Sequence, residues 1–297
     1  MRIQAGAFAL LVGCAFAQEP PPGDAPRAAP VILENHGKPM ALPFQCTAED
    51  IHWGGLTCSD EDPCPVYLEL SAADSSPAGR IIAAGNIHSS AVTLYSALLA
   101  SEDAGHTWTE AHARLRGADL DHIQFADAEQ GWISGQQLSP LPQEPFLLLT
   151  SDGGKTWRQR AIFNDNVDNR YGSIQQFYFG SKSSGSAIID RGQGAQGDRY
   201  ALYESPDGGE NWLIKEESNK AIRMRPAPPV AVSGWRVRVD GATQSWNVER
   251  RQGERWIPVA SFSVKMNPCK PPAQTEASPA EAGVQAAPAV KQIVIKK

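Results

Sequence analysis

Residues 46–269 predict an all-β fold, a small β-propeller of about four or five four-stranded antiparallel blades, on three observations. A tryptophan-bearing motif recurs along the chain, a short apolar strand pattern precedes each copy, and no stretch between 65 and 265 carries the 3.6-residue period of a helix. The motif reads Ser101-Glu-Asp103-Ala-Gly105-His-Thr107-Trp108, then Thr150-Ser-Asp152-Gly-Gly154-Lys-Thr156-Trp157, then Ser205-Pro-Asp207-Gly-Gly209-Glu-Asn211-Trp212. A fourth copy, Glu249-Arg-Arg-Gln-Gly253-Glu-Arg-Trp256, keeps only the glycine and the tryptophan. The tryptophans lie 49, 55 and 44 residues apart, a period slightly longer than the ~40–45 of common propeller blades.

The strands follow in order within each unit. The second unit opens with 122–125 and 131–134, continues through 145–149 before the motif, and ends in the segment after Trp157. The third repeats this as 174–179, 186–189, 199–203 and 212–215. The first contributes 93–99, the last 234–239 and 245–248, and Gly234-Trp235 echoes Gly131-Trp132. Four short strands per repeat make one blade. The motif itself is expected to form the hairpin between the third and fourth strands. Gly105, Gly154 and Gly209 can take the positive φ of a tight turn, Asp103, Asp152 and Asp207 can accept backbone N–H bonds across it, and Trp108, Trp157, Trp212 and Trp256 supply apolar area to the blade.

Outside 46–269 the composition changes. Met1-Arg2, the apolar stretch that follows and Ala15-Phe16-Ala17 read as an export signal spanning 1–17. A competing reading takes Leu11-Val12-Gly13-Cys14 as a lipobox, with Cys14 the lipidated residue of a membrane-tethered lipoprotein. Residues 18–45 read as a Pro/Ala-rich linker and 270–297 as a low-complexity, disordered tail. Either signal reading predicts a periplasmic or secreted protein, and no later stretch reaches the ~18 apolar residues of a membrane span.

The remaining cysteines, Cys46, Cys58, Cys64 and Cys269, form an even set, which in an exported chain reads as disulfides. Of three connectivities, the short loop favours Cys58–Cys64 and leaves Cys46 for Cys269. A zinc site fits less well, since the spacing is not of the CxxC type. Residues 46–75 hold seven carboxylates and no Lys or Arg, whereas 221–270 hold nine Lys and Arg against three carboxylates. In a closed ring the first and last blades are neighbours, so these opposite charges are expected side by side.

The pattern S-x-D-x-G-x-T-W resembles the Asp-box, or bacterial neuraminidase repeat, of sialidases and many other propellers. The run Asp127-x-x-x-Gly131-Trp132 followed by Leu-Leu-Thr150 through Trp157 is similar to the repeat of the photosystem II stability and assembly factor family and its non-photosynthetic bacterial relatives, over residues 110–215. That resemblance implies a non-catalytic scaffold binding a protein partner or a cell-envelope component. The Asp-box alone also admits a glycan hydrolase of the sialidase type, which would need an arginine clamp, a Tyr/Glu nucleophile pair, an Asp acid, six blades and an Arg-Ile-Pro motif. No Arg-Ile-Pro occurs and the blade count is too low. A third reading is a passive structural module tethered through Cys14.

The rim opposite the Asp-box turns is the candidate binding surface, and its polar members are His88, Arg116, Asp121, His122, Arg170, Asp190, Arg191, Arg223 and Arg225. Asp121 and His122 could form an oriented pair, but no Ser or Cys nucleophile stands at a recognisable spacing. No catalytic residue, metal or cofactor is expected: the acidic loop 59–62 lacks the glycine and terminal Glu of an EF-hand, and no phosphate-binding glycine motif is present. A formal net charge of −6 argues against nucleic acid as a partner.

Overall fold

The computed structural model describes residues 30–138, 143–163, 172–193, 197–224 and 234–271. The chain runs β1 (Leu33–Glu34), α1 (Ala48–Trp53), β2 (Val66–Ser75), β3 (Ile81–Ser89), β4 (Thr93–Ser101) and β5 (Thr107–Glu110). It continues through β6 (Ala118–Phe125), β7 (Gly131–Gln137), β8 (Gln143–Thr150), β9 (Arg158–Ala161), β10 (Ser173–Phe179), β11 (Gly185–Asp190), β12 (Tyr200–Ser205) and β13 (Leu213–Ser218). The last strands are β14 (Trp235–Asp240), β15 (Ser245–Gln252) and β16 (Arg255–Ser263).

These strands make four antiparallel sheets, β1-β5-β4-β3-β2, β6-β7-β8-β9, β10-β11-β12-β13 and β14-β15-β16. The fold is thus nearly all-β, a small β-propeller with four blades among the described residues. Middle strands are covered on both faces by adjacent blades, so β3 (IIAAGNIHS) reads as an almost unbroken buried run instead of an alternating one. Outer strands face water: all of β9 and most of β13 are exposed.

The three motif turns lie between third and fourth strands and carry one hydrogen-bond set. In the first, Gly105 N–H donates to Ser101 Oγ (2.9 Å), Thr107 N–H to Asp103 Oδ1 (2.8 Å), Thr107 Oγ1 to Asp103 Oδ2 (2.7 Å) and Trp108 Nε1 to Gly105 O (3.2 Å). Thr150, Asp152, Gly154, Thr156 and Trp157 repeat it, as do Ser205, Asp207, Gly209, Asn211 and Trp212. These bonds from Thr107 hold the Asp103 carboxyl down at about 2.

Each turn also packs on the preceding blade. A Cβ on Gly105 would meet Val259 of β16, one on Gly154 (φ +87) would meet Ile82 of β3 at 3.3 Å, and one on Gly209 would meet Leu147 of β8 at 3.5 Å. The motif therefore staples neighbouring sheets in the order fourth, first, second, third. The degenerate fourth copy does not. Gln252 pairs with Arg255 across Gly253, a Cβ on Gly253 would meet nothing within 4 Å, and Trp256 is half-buried with the Arg236 guanidinium 4.3 Å from its ring centre. The expectation that Trp256 packs a blade interior is thereby corrected, because a turn without the Ser and Asp ligands cannot fold its tryptophan inward. Among the described residues no apolar cluster spans the third and fourth sheets, whereas clusters join the fourth to the first, the first to the second and the second to the third.

Chain ends meet at the junction of the first and fourth sheets. Cys46 is joined to Cys269 and Cys58 to Cys64, the pairing expected from spacing. Cys64 and Cys269 also exchange backbone hydrogen bonds of 3.0 and 2.9 Å, and Trp108 packs edge-on against Phe262. The compact unit begins at Ile32, ahead of the expected boundary at 46. β1 pairs with β5, Met40 bridges Phe262 in parallel, and Asn35 Nδ2 donates to Gly105 O and Val259 O. Met40, Leu42 and Phe44 are buried in the shared core. Composition hid this segment, since few apolar residues suffice where the backbone adds to existing strands. The expected charge complementarity is not realised as contact. Among the described residues no ion pair links the two segments: Glu49 and Asp50 go to Arg116, and Arg236 and Arg238 both go to Glu249.

The export segment with Cys14, the tail from 272, Arg170 and Arg225 lie outside the described residues.

Candidate functional site

The motif turns occupy one end of the sheets, so the starts of β2, β6 and β10 and the ends of β3, β7 and β11 gather at the other. Each of these first strands carries one β-bulge at the same place: between Leu70 and Ala72, between Leu120 and His122, and between Ile174 and Gln176. The bulged residues are Ser71, Asp121 and Gln175. Opposite the first two bulges stand Gly85 and Gly135, where a Cβ would lie 1.9 Å from Glu69 O and 2.8 Å from Asp119 O. A bulge re-aims its side chain out of the alternating pattern, and here it does so in the first strand of three sheets.

A cavity of about 520 Å³ opens there, lined by His122, Gln175, Gln176, Phe177, Tyr200 and Ile222 among others. His122 is exposed on β6, its Nδ1 3.5 Å from Ser134 Oγ and its ring 6.4 Å from that of Phe177. Beside it, burial raises the Asp121 carboxyl, His122 opposes the rise and Glu69 adds to it. Asp119 is more deeply placed at 7% exposure, and burial, with the nearby Asp121 charge, pushes its carboxyl to about 7. Gln136 Nε2 donates to Asp119 Oδ2 at 3.4 Å, while Asp119 Oδ1, Gln136 Oε1 and Asn86 Oδ1 are buried and have no partner.

The other sequence candidates are dispersed and mostly occupied. His88 bonds the Ser89 carbonyl, stands 3.9 Å from Glu69 and packs on Tyr67. Arg116 is tied to α1 through Glu49, Asp50 and the Tyr95 hydroxyl, and α1 itself is fixed by the Thr47/Asp50 capping box. Asp190 takes two bonds from Arg199, of 2.9 and 2.7 Å, which lower its carboxyl. Arg191 bonds Glu217 and the Tyr203 hydroxyl. Arg223 is exposed between Ile222 and Met224, which cover Ile188 and Leu202. The structure thus sets Asp121 and His122 side by side at the bulge of β6 and holds Arg116 and Arg191 in ion pairs with other carboxylates.

Sequence reasoning missed Glu69, Asn86, Asp119 and Gln136. The signal available was polar side chains set within otherwise buried strands, which a core strand tolerates only with partners. Among the described residues no group of three or more His, Cys, Asp or Glu side chains is placed to hold a metal ion, and no helix is long and apolar enough to cross a membrane.

No protein-family model matches the chain, and no curated protein sequence does. Among solved structures it is similar to YCF48 bound to D1 peptide, at 22% identity over 66% of this chain and 54% of that one, with a TM-score of 0.37. A GH74 xyloglucanase from Xanthomonas campestris matches at 17% identity, 63% and 28% coverage and a TM-score of 0.34. An α-L-arabinanase of Penicillium chrysogenum complexed with arabinobiose matches at 14%, 67% and 63%, with a TM-score of 0.33. The chain spans about half the length of the YCF48 structure and less than a third of the xyloglucanase. What these proteins have in common with the chain is the β-propeller fold alone.

Proposed function

We propose that this protein is an exported, non-catalytic propeller scaffold of the Asp-box type that binds a protein partner or a cell-envelope component at the end opposite its motif turns. The observation that carries the reading is the cavity between His122 and the third sheet, whose amide, aromatic and imidazole lining offers hydrogen bonds and stacking surfaces to an extended chain. Two disulfides support an oxidising compartment. The occupied arginines weigh against a sialidase, since Arg116, Arg191 and Arg199 already serve carboxylates of this chain. A photo-crosslinking residue at Gln176, compared with one at Lys155 near a motif turn, tests the reading in envelope extract. One discrete adduct from position 176 alone is expected; equal labelling from both positions would overturn it.

One observation favours an enzyme as the second reading. Asp119, pushed up to about 7, and Asp121, also raised by burial, set two carboxyls of perturbed acidity close together, and a carboxyl pair is what glycoside hydrolysis requires. Turnover of aryl glycosides, abolished in Asp119→Asn, would establish it in place of the scaffold.

A further inference from the structure

We infer that the four cysteines form a single thiol–disulfide exchange site, at which an external dithiol opens Cys58–Cys64 and the freed Cys64 then takes Cys269 from Cys46. The contacts this requires are fixed by the fold. Cys46 is bonded to Cys269 and Cys58 to Cys64, with Cα separations of 5.0 and 5.1 Å. Cys64 and Cys269, which belong to different bridges, are register partners in an antiparallel pair and exchange both backbone hydrogen bonds, of 3.0 and 2.9 Å. Such a pair has its Cα atoms about 5.5 Å apart and its side chains on one face, inside the ~4.4–6.8 Å that a disulfide spans. A third bridge is therefore within reach of the backbone as it stands.

Both positions are held independently of the bonds their sulfurs make. Pro63 and Pro65 flank Cys64 and Pro268 precedes Cys269, each with its φ fixed by the ring. Leu68 N–H donates to Val264 O (2.8 Å) and Met266 N–H to Val66 O (3.0 Å), which continues the pairing along β2. Asn267 Nδ2 donates to Phe44 O (3.2 Å), so the segment before Cys46 keeps a hydrogen bond to the same strand when its covalent bond goes. Exposure sets the order. Cys269 is fully buried, so a reductant from solution meets at most one cysteine of the long bridge, whereas Cys58 and Cys64 are both partly exposed. In the first step the dithiol is oxidised to its own disulfide, and Cys58 and Cys64 become thiols. In the second, the Cys64 thiolate attacks Cys269 Sγ; Cys64–Cys269 forms, Cys46–Cys269 breaks, and Cys46 leaves as a thiolate that takes up the proton Cys64 lost. This step is neutral in electrons. The new bridge closes nearly the same length of chain as the old, so loop entropy opposes the exchange little. It still ties the first sheet to the fourth, and it releases the N-terminal segment 32–46 from its covalent lock.

The full chain, folded and oxidised, is treated with one equivalent of dithiothreitol, trapped with iodoacetamide at successive times and digested without further reduction for mass spectrometry. The product expected is a chain alkylated at Cys46 and Cys58, with Cys64 joined to Cys269. Alkylation at Cys58 and Cys64 with Cys46–Cys269 intact, or at all four cysteines together, would overturn the exchange. Cys64→Ser supplies the control, because direct reduction of the long bridge does not need Cys64. Under the same treatment Cys46 should be alkylated at least tenfold more slowly in Cys64→Ser than in the unsubstituted chain, and equal rates would overturn the exchange as well.

Discussion

Replacing Cys46 and Cys269 with serine isolates the covalent contribution to closing the blade set. The bridge spans 223 residues of chain, against 6 for Cys58–Cys64. In the chain-entropy model the loss grows with the logarithm of loop length, giving about 5 kcal/mol for the long bridge and about 2 kcal/mol for the short one. Both bridges sit at one place, joined through the Cys64–Cys269 backbone pair, and apart from the full burial of Cys269 against three partly buried cysteines loop length is the main difference. Urea unfolding of Cys46→Ser/Cys269→Ser and of Cys58→Ser/Cys64→Ser, followed by tryptophan fluorescence, measures both losses. The first pair should lose roughly 3 kcal/mol more than the second. An equal or smaller loss from the long bridge would show that the apolar junction around Trp108 and Phe262 closes the structure without it.

Trp157→Ala should cost about 3–5 kcal/mol, because its ring is buried beneath a complete motif turn and edge-on to Phe125. Trp256→Ala should stay within about 1 kcal/mol, since the ring is half-exposed; comparable melting of the two variants would refute the distinction. Stability should fall as pH rises from 4 to 7. Burial holds Asp119 at about 7 and Asp74 at about 6, above the ordinary 3.8, so in that window the folded state retains protons the unfolded chain has lost. Asp119→Asn should flatten the slope of urea midpoint against pH, and an unchanged slope would show that Asp119 ionises freely. Below pH 4 the sign reverses: Asp103, held at about 2 by its turn, contributes stability that is lost as pH falls through that value.

The motif turns were legible because their hydrogen bonds join residues two to four apart, so Ser101, Asp103, Gly105, Thr107 and Trp108 declare the geometry within eight letters. Disulfide pairing was legible for the same reason at Cys58–Cys64, and by remainder at Cys46–Cys269. The bulges at Ser71, Asp121 and Gln175 were not, because a bulge exists only relative to the partner strand and nothing in Asp119-Leu-Asp121-His122 marks which residue goes unpaired. The partners of the arginines were not legible either, on another ground. Arg116 meets Glu49 across 67 residues and Arg158 meets Glu210 across 52, and no local pattern announces a long-range ion pair. The chain from 32 to 45 was misread because its role is to offer backbone, which composition does not record.

That N-terminal strap changes what the molecule presents to other copies of itself. An outermost strand with free N–H and C=O groups is a template for a foreign strand. β1 covers the outer side of β5, and Met40 covers part of β16. Among the described residues nothing pairs with the outer side of β9 or β13. Both carry the marks of strands kept from pairing: β9 is Arg158-Gln-Arg-Ala161, and in β13 the exposed Leu213 and Ile214 run straight into Lys215-Glu-Glu217. β5 (Thr107-Trp-Thr-Glu110) has only its last residue charged and no such guard. Guarding by charge and guarding by capping are thus divided among the blades, and a chain that began after the strap would lose the second kind while keeping the first.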